Sequence, residues 1–298
     1  MQTNRSNSLS GMAEFPIHEI DPLVEFPALA ELPQPPKRMY IRGSLGHVKH
    51  KKIVAFVGSR ACTSYGINAC RTLIEGLRGY NIVIVSGLAM GIDAIAHKAA
   101  LEAGLTTIAF PGSGLDWKYL YPAINKGLAK EILSHGGALL SEYEPETKSM
   151  IWTFPQRNRL VAGVADMVII IEAQEKSGAL ITARLGTEYN KIVGAVPGSI
   201  YNNSSKGTNW LLRLGAVPIT GSQDILKELG LETKDVPLSS LLINDQEGRI
   251  LEMLTEPKTK DTIIYELGLS TAEANVAFST LEIKGLIKET YGLVERIA

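Results

Sequence analysis

From Ile53 to about Ile219 the chain alternates short apolar runs with stretches of helical periodicity. The first run, Ile53-Val54-Ala55-Phe56-Val57, has no polar interruption, which predicts a strand buried on both faces. Further strands are expected over 82–85, 106–110, 138–140, 167–171, 192–196 and 217–219. Helices are expected between them, over about 65–78, 92–103, 122–134, 156–161, 179–189 and 208–213. Strand–helix alternation of this kind predicts an α/β domain with a doubly wound, mostly parallel sheet and helices on both faces.

The flanks follow other rules. Residues 1–38 carry Pro16, Pro22, Pro27, Pro33, Pro35 and Pro36 and little periodicity, so a flexible Pro-rich arm is expected. Met39-Tyr40-Ile41-Arg42-Gly43 reads as a short edge strand that opens a domain running over 39–229. Residues 230–244 turn polar around Pro237 and Ser239-Ser240, the composition of a linker. Helices are then expected over 248–254, 259–267 and 271–284, with a hairpin of 286–289 and 291–294. Within the third helix Ala274, Ala277, Phe278 and Leu281 recur at helical spacing. Three helices and a two-stranded wing over 245–298 outline a winged helix–turn–helix domain.

The 298 residues suffice for one large core and one small satellite. A net charge of −1 argues against a strongly basic binder while leaving room for a local basic groove. Residues 245–298 hold 6 Lys and Arg against 10 Asp and Glu, a net −4, and the remainder is by difference net +3. An acidic winged helix would repel duplex phosphates, so it reads better as a partner-binding or regulatory module. No apolar run is long enough to span a bilayer and no basic-then-apolar leader is present. The two cysteines, Cys62 and Cys70, form no CxxC pair, and the five histidines show no zinc spacing. A cytoplasmic protein without metal or cofactor is the expectation.

Candidate chemistry gathers in the loops that follow the strands. Gly58-Ser59-Arg60 couples a close-approach glycine and a hydroxyl to a fixed positive charge. The loop containing Ser86, Gly87 and Gly91 and the loop containing Gly112, Ser113 and Gly114 emerge at the same rim of a parallel sheet. All three are expected to present backbone N–H groups near helix starts, forming one anion groove. Ser177-Gly178 opens a further helix in the same manner. Phe154-Pro155-Gln156-Arg157-Asn158-Arg159 adds two arginines around an Asn, after a ring that either stacks a base or joins the core at a helix start. The chain has no GxxxxGK[ST], no GxGxxG after the first strand and no GxSxG. P-loop hydrolysis, ordinary dinucleotide binding and a nucleophile elbow are therefore not expected.

The ordered set of motifs resembles the DNA-processing protein A (DprA) family, also called Smf. The matching segments are Phe26-Pro27-Ala28-Leu29, Tyr40-Ile41-Arg42-Gly43, Gly58-Ser59-Arg60 with Tyr65-Gly66, and Ser86-Gly87-Leu88-Ala89-Met90-Gly91-Ile92-Asp93. They continue with Gly112-Ser113-Gly114-Leu115-Asp116, Tyr121-Pro122, Leu140-Ser141-Glu142-Tyr143, Phe154 to Arg159, and Ser177 to Ala183. The resemblance implies an extended Rossmann-like domain over 39–229 that binds single-stranded DNA. It implies a non-enzymatic protein that protects incoming strands in natural transformation, loads the RecA recombinase onto them, and forms a homodimer through the Rossmann-like domain. By motif, Arg60 would clamp a phosphate, and the Ser113 loop, Lys148, Arg157 and Arg159 would line the same groove. Many members carry a helical domain before the Rossmann unit; with only about fifty residues ahead of the first strand here, that domain is expected to be absent or vestigial.

Two other readings stay open. A nucleotide-binding or nucleoside-monophosphate-processing enzyme would use the same frame, with the Glu172 loop supplying a carboxylate. Such families carry Pro-Gly-Gly-x-Gly-Thr where this chain has Pro111-Gly112-Ser113-Gly114. A transcription regulator would use the C-terminal domain on duplex DNA, against its net −4.

Overall fold

The computed structural model describes residues 15–48, 50–232, 244–284, 286–290 and 292–296. Those up to Glu232 form one unit and those from Asn244 another. The proposed linker segment around Pro237 and Ser239-Ser240 lies outside the described residues, as do residues 1–14 and Tyr291.

The apolar runs of the large unit become the strands β3 (Lys52–Val57), β4 (Ile82–Ser86), β5 (Thr106–Ala109), β6 (Ala138–Ser141), β7 (Met167–Ile170), β8 (Ile192–Ala195) and β9 (Val217–Pro218). These seven pair with one another in parallel. β3 is the pivot: Ala55 faces Val85 of β4 on one side and Val168 of β7 on the other. The sheet continues through two antiparallel strands, β1 (Ile17–Ile20) and β2 (Met39–Gly43), giving the order β1-β2-β6-β5-β4-β3-β7-β8-β9. Strand order thus reverses between β3 and β7, the switch point where ligands bind in doubly wound sheets.

Side-chain alternation along the strands divides the core into layers. Val54, Phe56, Ile82, Ile84 and Ile169 face the helices α2 (Ser64–Glu75) and α3 (Ile92–Glu102). Farther along this face, α4 (Lys126–Ser134) covers Ala109 and Leu139 with Leu128, Ile132 and Leu133. Ala55, Val83, Val85, Val168 and Ile170 face α5 (Thr153–Val164), α6 (Gly178–Glu188) and α7 (Lys206–Arg213) on the opposite side. The helix starts are locally specified. Thr63 caps α2 by accepting from Gly66 N–H at 3.3 Å, and Ser177 caps α6 by accepting from Ala179 N–H at 3.2 Å.

The arm differs from the expectation over its described part. β1 pairs with β2, a four-residue helix α1 (Pro22–Glu25) follows, and a 3-10 turn over Pro27–Glu31 ends the segment. Phe26, Leu29 and Leu32 are buried in the core. Leu29 and Leu32 pack so tightly on α5 that a Cβ at Gly163 would meet them at 2.9 and 3.1 Å. The prolines set turns between apolar anchors instead of preventing order, and β2 is an interior strand, not an edge.

The small unit has α8 of the large unit (Ser222–Glu228) behind it in sequence and begins with α9 (Asp245–Met253). Asn244 and Glu247 cap α9 reciprocally, as do Ser270 and Glu273 for α11 (Thr271–Ile283). Between them lie β10 (Lys258–Thr259) and α10 (Lys260–Leu267). β11 (Ile287–Thr290) and β12 (Leu293–Arg296) form the expected hairpin, and β10 adds a third strand, in the order β10-β12-β11. Ala274, Ala277, Phe278 and Leu281 point into this unit's own core with Ile250, Ile263 and Val294.

Candidate nucleic-acid interface

The loops after β3, β4 and β5 do meet at one rim, but several of their amides point inward. Ser59 N–H donates to Glu172 O at 2.9 Å, and Ile92 N–H donates to Ser59 O at 3.1 Å. Gly87 and Ala89 N–H both donate to Asp93 Oδ2, at 3.1 and 3.3 Å. Gly114 N–H donates to Thr147 O and Tyr121 N–H to Ser113 Oγ. The expected groove of free amides is narrowed accordingly, since Ser59, Gly87, Ala89 and Gly114 are committed within the protein. These donors are satisfied by acceptors of the protein itself, and the loops serve as a frame.

Two hydroxyls proposed as phosphate contacts belong to that frame. Ser86 is fully buried and donates to Phe56 O at 2.6 Å. Ser113 is fully buried and donates to Gly114 O at 3.0 Å. Neither reaches the surface.

The Phe154–Arg159 motif divides in three. Arg157 is only 5% exposed, because it shares the inward stripe of α5 with Thr153, Leu160, Val161 and Val164. Its Nη1 donates to Phe110 O in a close contact, and a Cβ at Gly87 would collide with its guanidinium. Burial pulls its pKa down to about 10, against the opposing pull of Asp93, so it stays cationic at neutral pH. Burial pushes the Asp93 carboxyl up, while Arg157 and the Ala89 and Gly87 amides hold it down. His97 lies in the same region. Its Nδ1–H donates to Thr107 Oγ1 at 2.7 Å, since that hydroxyl already donates to Ile84 O at 2.9 Å. Burial, reinforced by Arg157, pulls its pKa down to about 3, so the ring is neutral. Arg157 therefore underpins the rim, lining the small hollow beside Arg60 and Phe154 from a nearly buried position.

Arg159 is also withdrawn. Nη2 meets both oxygens of Glu142 at 2.5 Å, and Nη1 donates to Gln34 O at 2.9 Å. This bidentate pair ties the loop after β6 to the N-terminal segment instead of facing solvent. Asn158 between them is half-buried.

What remains at the surface is a cation on a ring. Arg60 is exposed, has no ion-pair partner among the described residues, and places its guanidinium carbon 5.0 Å from the centre of the Phe154 ring. Phe154 is half-buried at the start of α5, and Gly112 allows it there: a Cβ at that position would lie 2.6 Å from the ring. Tyr121, 41% exposed, packs against Phe154 with ring centres 5.7 Å apart. Arg60, Tyr121, Phe154 and Met90 surround a hollow of about 10 Å³, space for one water and no ligand. Anything bound here lies on the rim, not in a pocket.

The loop leading to α5 adds to this rim. Lys148 is exposed and unpaired among the described residues. Of the nearby acids, Glu142 pairs with Arg159, and Glu144 pairs with Arg38 at 2.5 Å and accepts from the Tyr40 hydroxyl at 2.6 Å, while Glu146 is exposed with no ion pair among the described residues. Trp152 is 57% exposed with its ring edge-on to Tyr143 at 5.9 Å, and Ile151 beside it is 91% exposed. Reading the residues alone did not single out Tyr121 or Trp152 as site residues. The signal for the second was the apolar run Met150-Ile151-Trp152 inside an otherwise polar loop.

Ser177 and Gly178 lie elsewhere, on the wall of a groove of about 1470 Å³ between α6 and α7. Among the described residues no cluster of His, Cys, Asp or Glu is arranged to hold a metal, and no helix is long and apolar enough to cross a membrane.

A sequence profile of the family described as DNA recombination-mediator protein A matches residues 21–230. Protein Smf of Escherichia coli is 36% identical over 292 residues, covering 94% of this chain and 77% of that protein. The DNA processing protein DprA of Streptococcus pneumoniae is 42% identical over 200 residues, covering 67% of this chain and 69% of that one. The X-ray structure of DNA processing protein A from S. pneumoniae matches with a TM-score of 0.66 at 39% identity, over 74% of this chain and 76% of that one. DNA processing protein A from Helicobacter pylori, whose structure describes a single-stranded DNA binding mode, matches with a TM-score of 0.65 at 35% identity, over 73% and 97%.

Proposed function

Because this chain belongs to the DNA recombination-mediator protein A family, we propose that it binds single-stranded DNA along the rim carrying Arg60, Phe154 and Tyr121. Arg60 holds a backbone phosphate and Lys148 supplies a second cation. Gly58 and Ser59 hold the Arg60 backbone in place, and Phe154, Tyr121 and Trp152 offer aromatic faces to successive bases. This is sequence-tolerant binding, in which phosphates give affinity and rings take any base. One observation carries the reading: an exposed, unpaired guanidinium lies over a ring at the open edge of the sheet. The test is a titration of fluorescent single- and double-stranded oligonucleotides at two salt concentrations. Stronger, salt-sensitive binding of the single strand is expected, and equal affinity for the duplex would overturn the proposal.

Family membership further supports a role in recombination, including natural transformation, in which the bound strand is protected and passed to the RecA recombinase. The expected result is faster RecA filament assembly on DNA precoated with this protein, and no effect on the rate would count against it. A homodimer through the Rossmann-like domain is proposed on the face around α7, where Trp210, Leu214 and Ile200 are exposed beside the large groove. Sedimentation should show a dimer that Leu214→Glu converts to a monomer; a variant that stays dimeric argues for another face. The acidic C-terminal unit is proposed as a winged-helix module for a partner or for regulation. Deleting residues 244–298 should leave single-strand affinity unchanged.

A further inference from the structure

In doubly wound sheets a small phosphorylated ligand enters the crevice at the switch point and sets its anion on the first helix. Here that crevice lies between the ends of β3 and β7, with α2 as the first helix. Both ways of using it are closed from within. The two strand ends are joined by backbone hydrogen bonds, Ile171 N–H to Val57 O at 3.0 Å and Ser59 N–H to Glu172 O at 2.9 Å. The start of α2 is occupied as well. Glu172, 1% exposed, accepts from Thr63 N–H at 2.8 Å and from the Thr63 hydroxyl at 2.6 Å. Its carboxylate presses so closely on Gly66 that any Cβ there would overlap it.

A carboxylate held by a backbone amide and a hydroxyl at a helix start is chemically what a bound phosphate oxygen would be. We infer that Glu172 is a built-in anion that plugs the monomer site and so determines specificity: the chain takes a polynucleotide on its rim and rejects mononucleotides and free phosphate. The neighbouring geometry fits. With the crevice filled, Arg60 is directed to the open side, over Phe154, where a strand can pass across without presenting a chain end. The same carboxylate that a monophosphate-processing enzyme would use as a catalytic group is here committed to the protein's own Thr63. The inference rests on the single-strand reading above, and deepens it by naming what that site excludes.

The test starts with the native chain bound to a fluorescent oligothymidylate and challenged with dTMP, AMP or inorganic phosphate. No displacement at millimolar competitor is expected, whereas displacement by either nucleotide would overturn the inference. Failure to bind the oligothymidylate at all would instead overturn the parent reading. The second arm compares the native chain with Glu172→Ala and Glu172→Gln by thermal shift in added inorganic phosphate. Only Glu172→Ala should gain a phosphate-dependent upward shift, because Gln still fills the space. A folded Glu172→Ala protein without that shift would refute the plug. If circular dichroism shows that this variant does not fold, the competition on the native chain decides alone.

Discussion

Replacing Arg60 by alanine removes one exposed guanidinium from the rim and leaves the frame beneath it intact. Arg60 has no ion pair among the described residues and touches the core only through the face of Phe154. Stability should therefore change by no more than about 0.5 kcal/mol. Binding should change in a way that counts charges. Each phosphate neutralised on a single strand contributes about 0.7 to the slope of log K against log salt. Losing one contact should thus make the slope shallower by about 0.7, so that between roughly 50 and 200 mM salt the native chain loses about 2.6-fold more affinity than the variant. Fluorescence anisotropy with a labelled oligonucleotide at four or more salt concentrations measures both slopes, and a thermal melt controls for folding. An unchanged slope in a folded Arg60→Ala protein would refute the assignment of Arg60 to a phosphate, whatever the change in affinity at one salt concentration.

Other side chains give distinct signatures. Phe154→Ala and Tyr121→Ala should each weaken single-strand binding by the worth of a stacked base, about 1–3 kcal/mol, with the salt slope unchanged; a Tyr121→Phe control should bind normally. Arg159→Ala strands Glu142, whose side chain is only 20% exposed, and should cost about 2–3 kcal/mol of stability. A melting temperature within about 1 °C of the native chain would show that the pair contributes little. His97 is held neutral in the fold, with its pKa moved from 6.5 to about 3. Its contribution to stability is thus full above the unfolded value and declines as pH falls toward the folded one. Between about pH 7 and pH 5 the native chain should lose about 2 kcal/mol more than His97→Gln in urea unfolding. Parallel losses in both proteins would contradict the burial of that ring.

The central sheet was legible because residues buried on both faces leave uninterrupted apolar runs, as at Ile53–Val57 and Met167–Ile171. β1 was not, since Ile17-His18-Glu19-Ile20 is short, half polar and set among prolines; only its pairing with β2 makes it a strand. In the rim, Arg60 and Phe154 were legible from their loop and helix-start positions. Arg157 was not, because residue type announces charge while burial depends on phase. It stands three and four positions before Leu160 and Val161, on their stripe of α5, and that spacing was the available clue. Arg159 falls off the stripe, and its partner Glu142 lies on a different element, beyond the reach of local pattern. The direction of loop amides was equally hidden, since it depends on where Asp93 and Glu172 stand after folding.

The two outer strands have a consequence for how copies of this chain meet. An open sheet normally ends in rows of unpaired backbone groups that invite another strand. Here one end is β1, four residues long with His18 and Glu19 exposed, and the other is β9, two residues long and ending in Pro218. Proline has no N–H to offer a neighbour, and a four-residue ribbon with a charged residue gives a poor template. Copies of this chain can therefore come close together without fusing edge to edge into a continuous sheet. Their contacts are left to side-chain surfaces, which can be made and broken without melting a strand from either sheet.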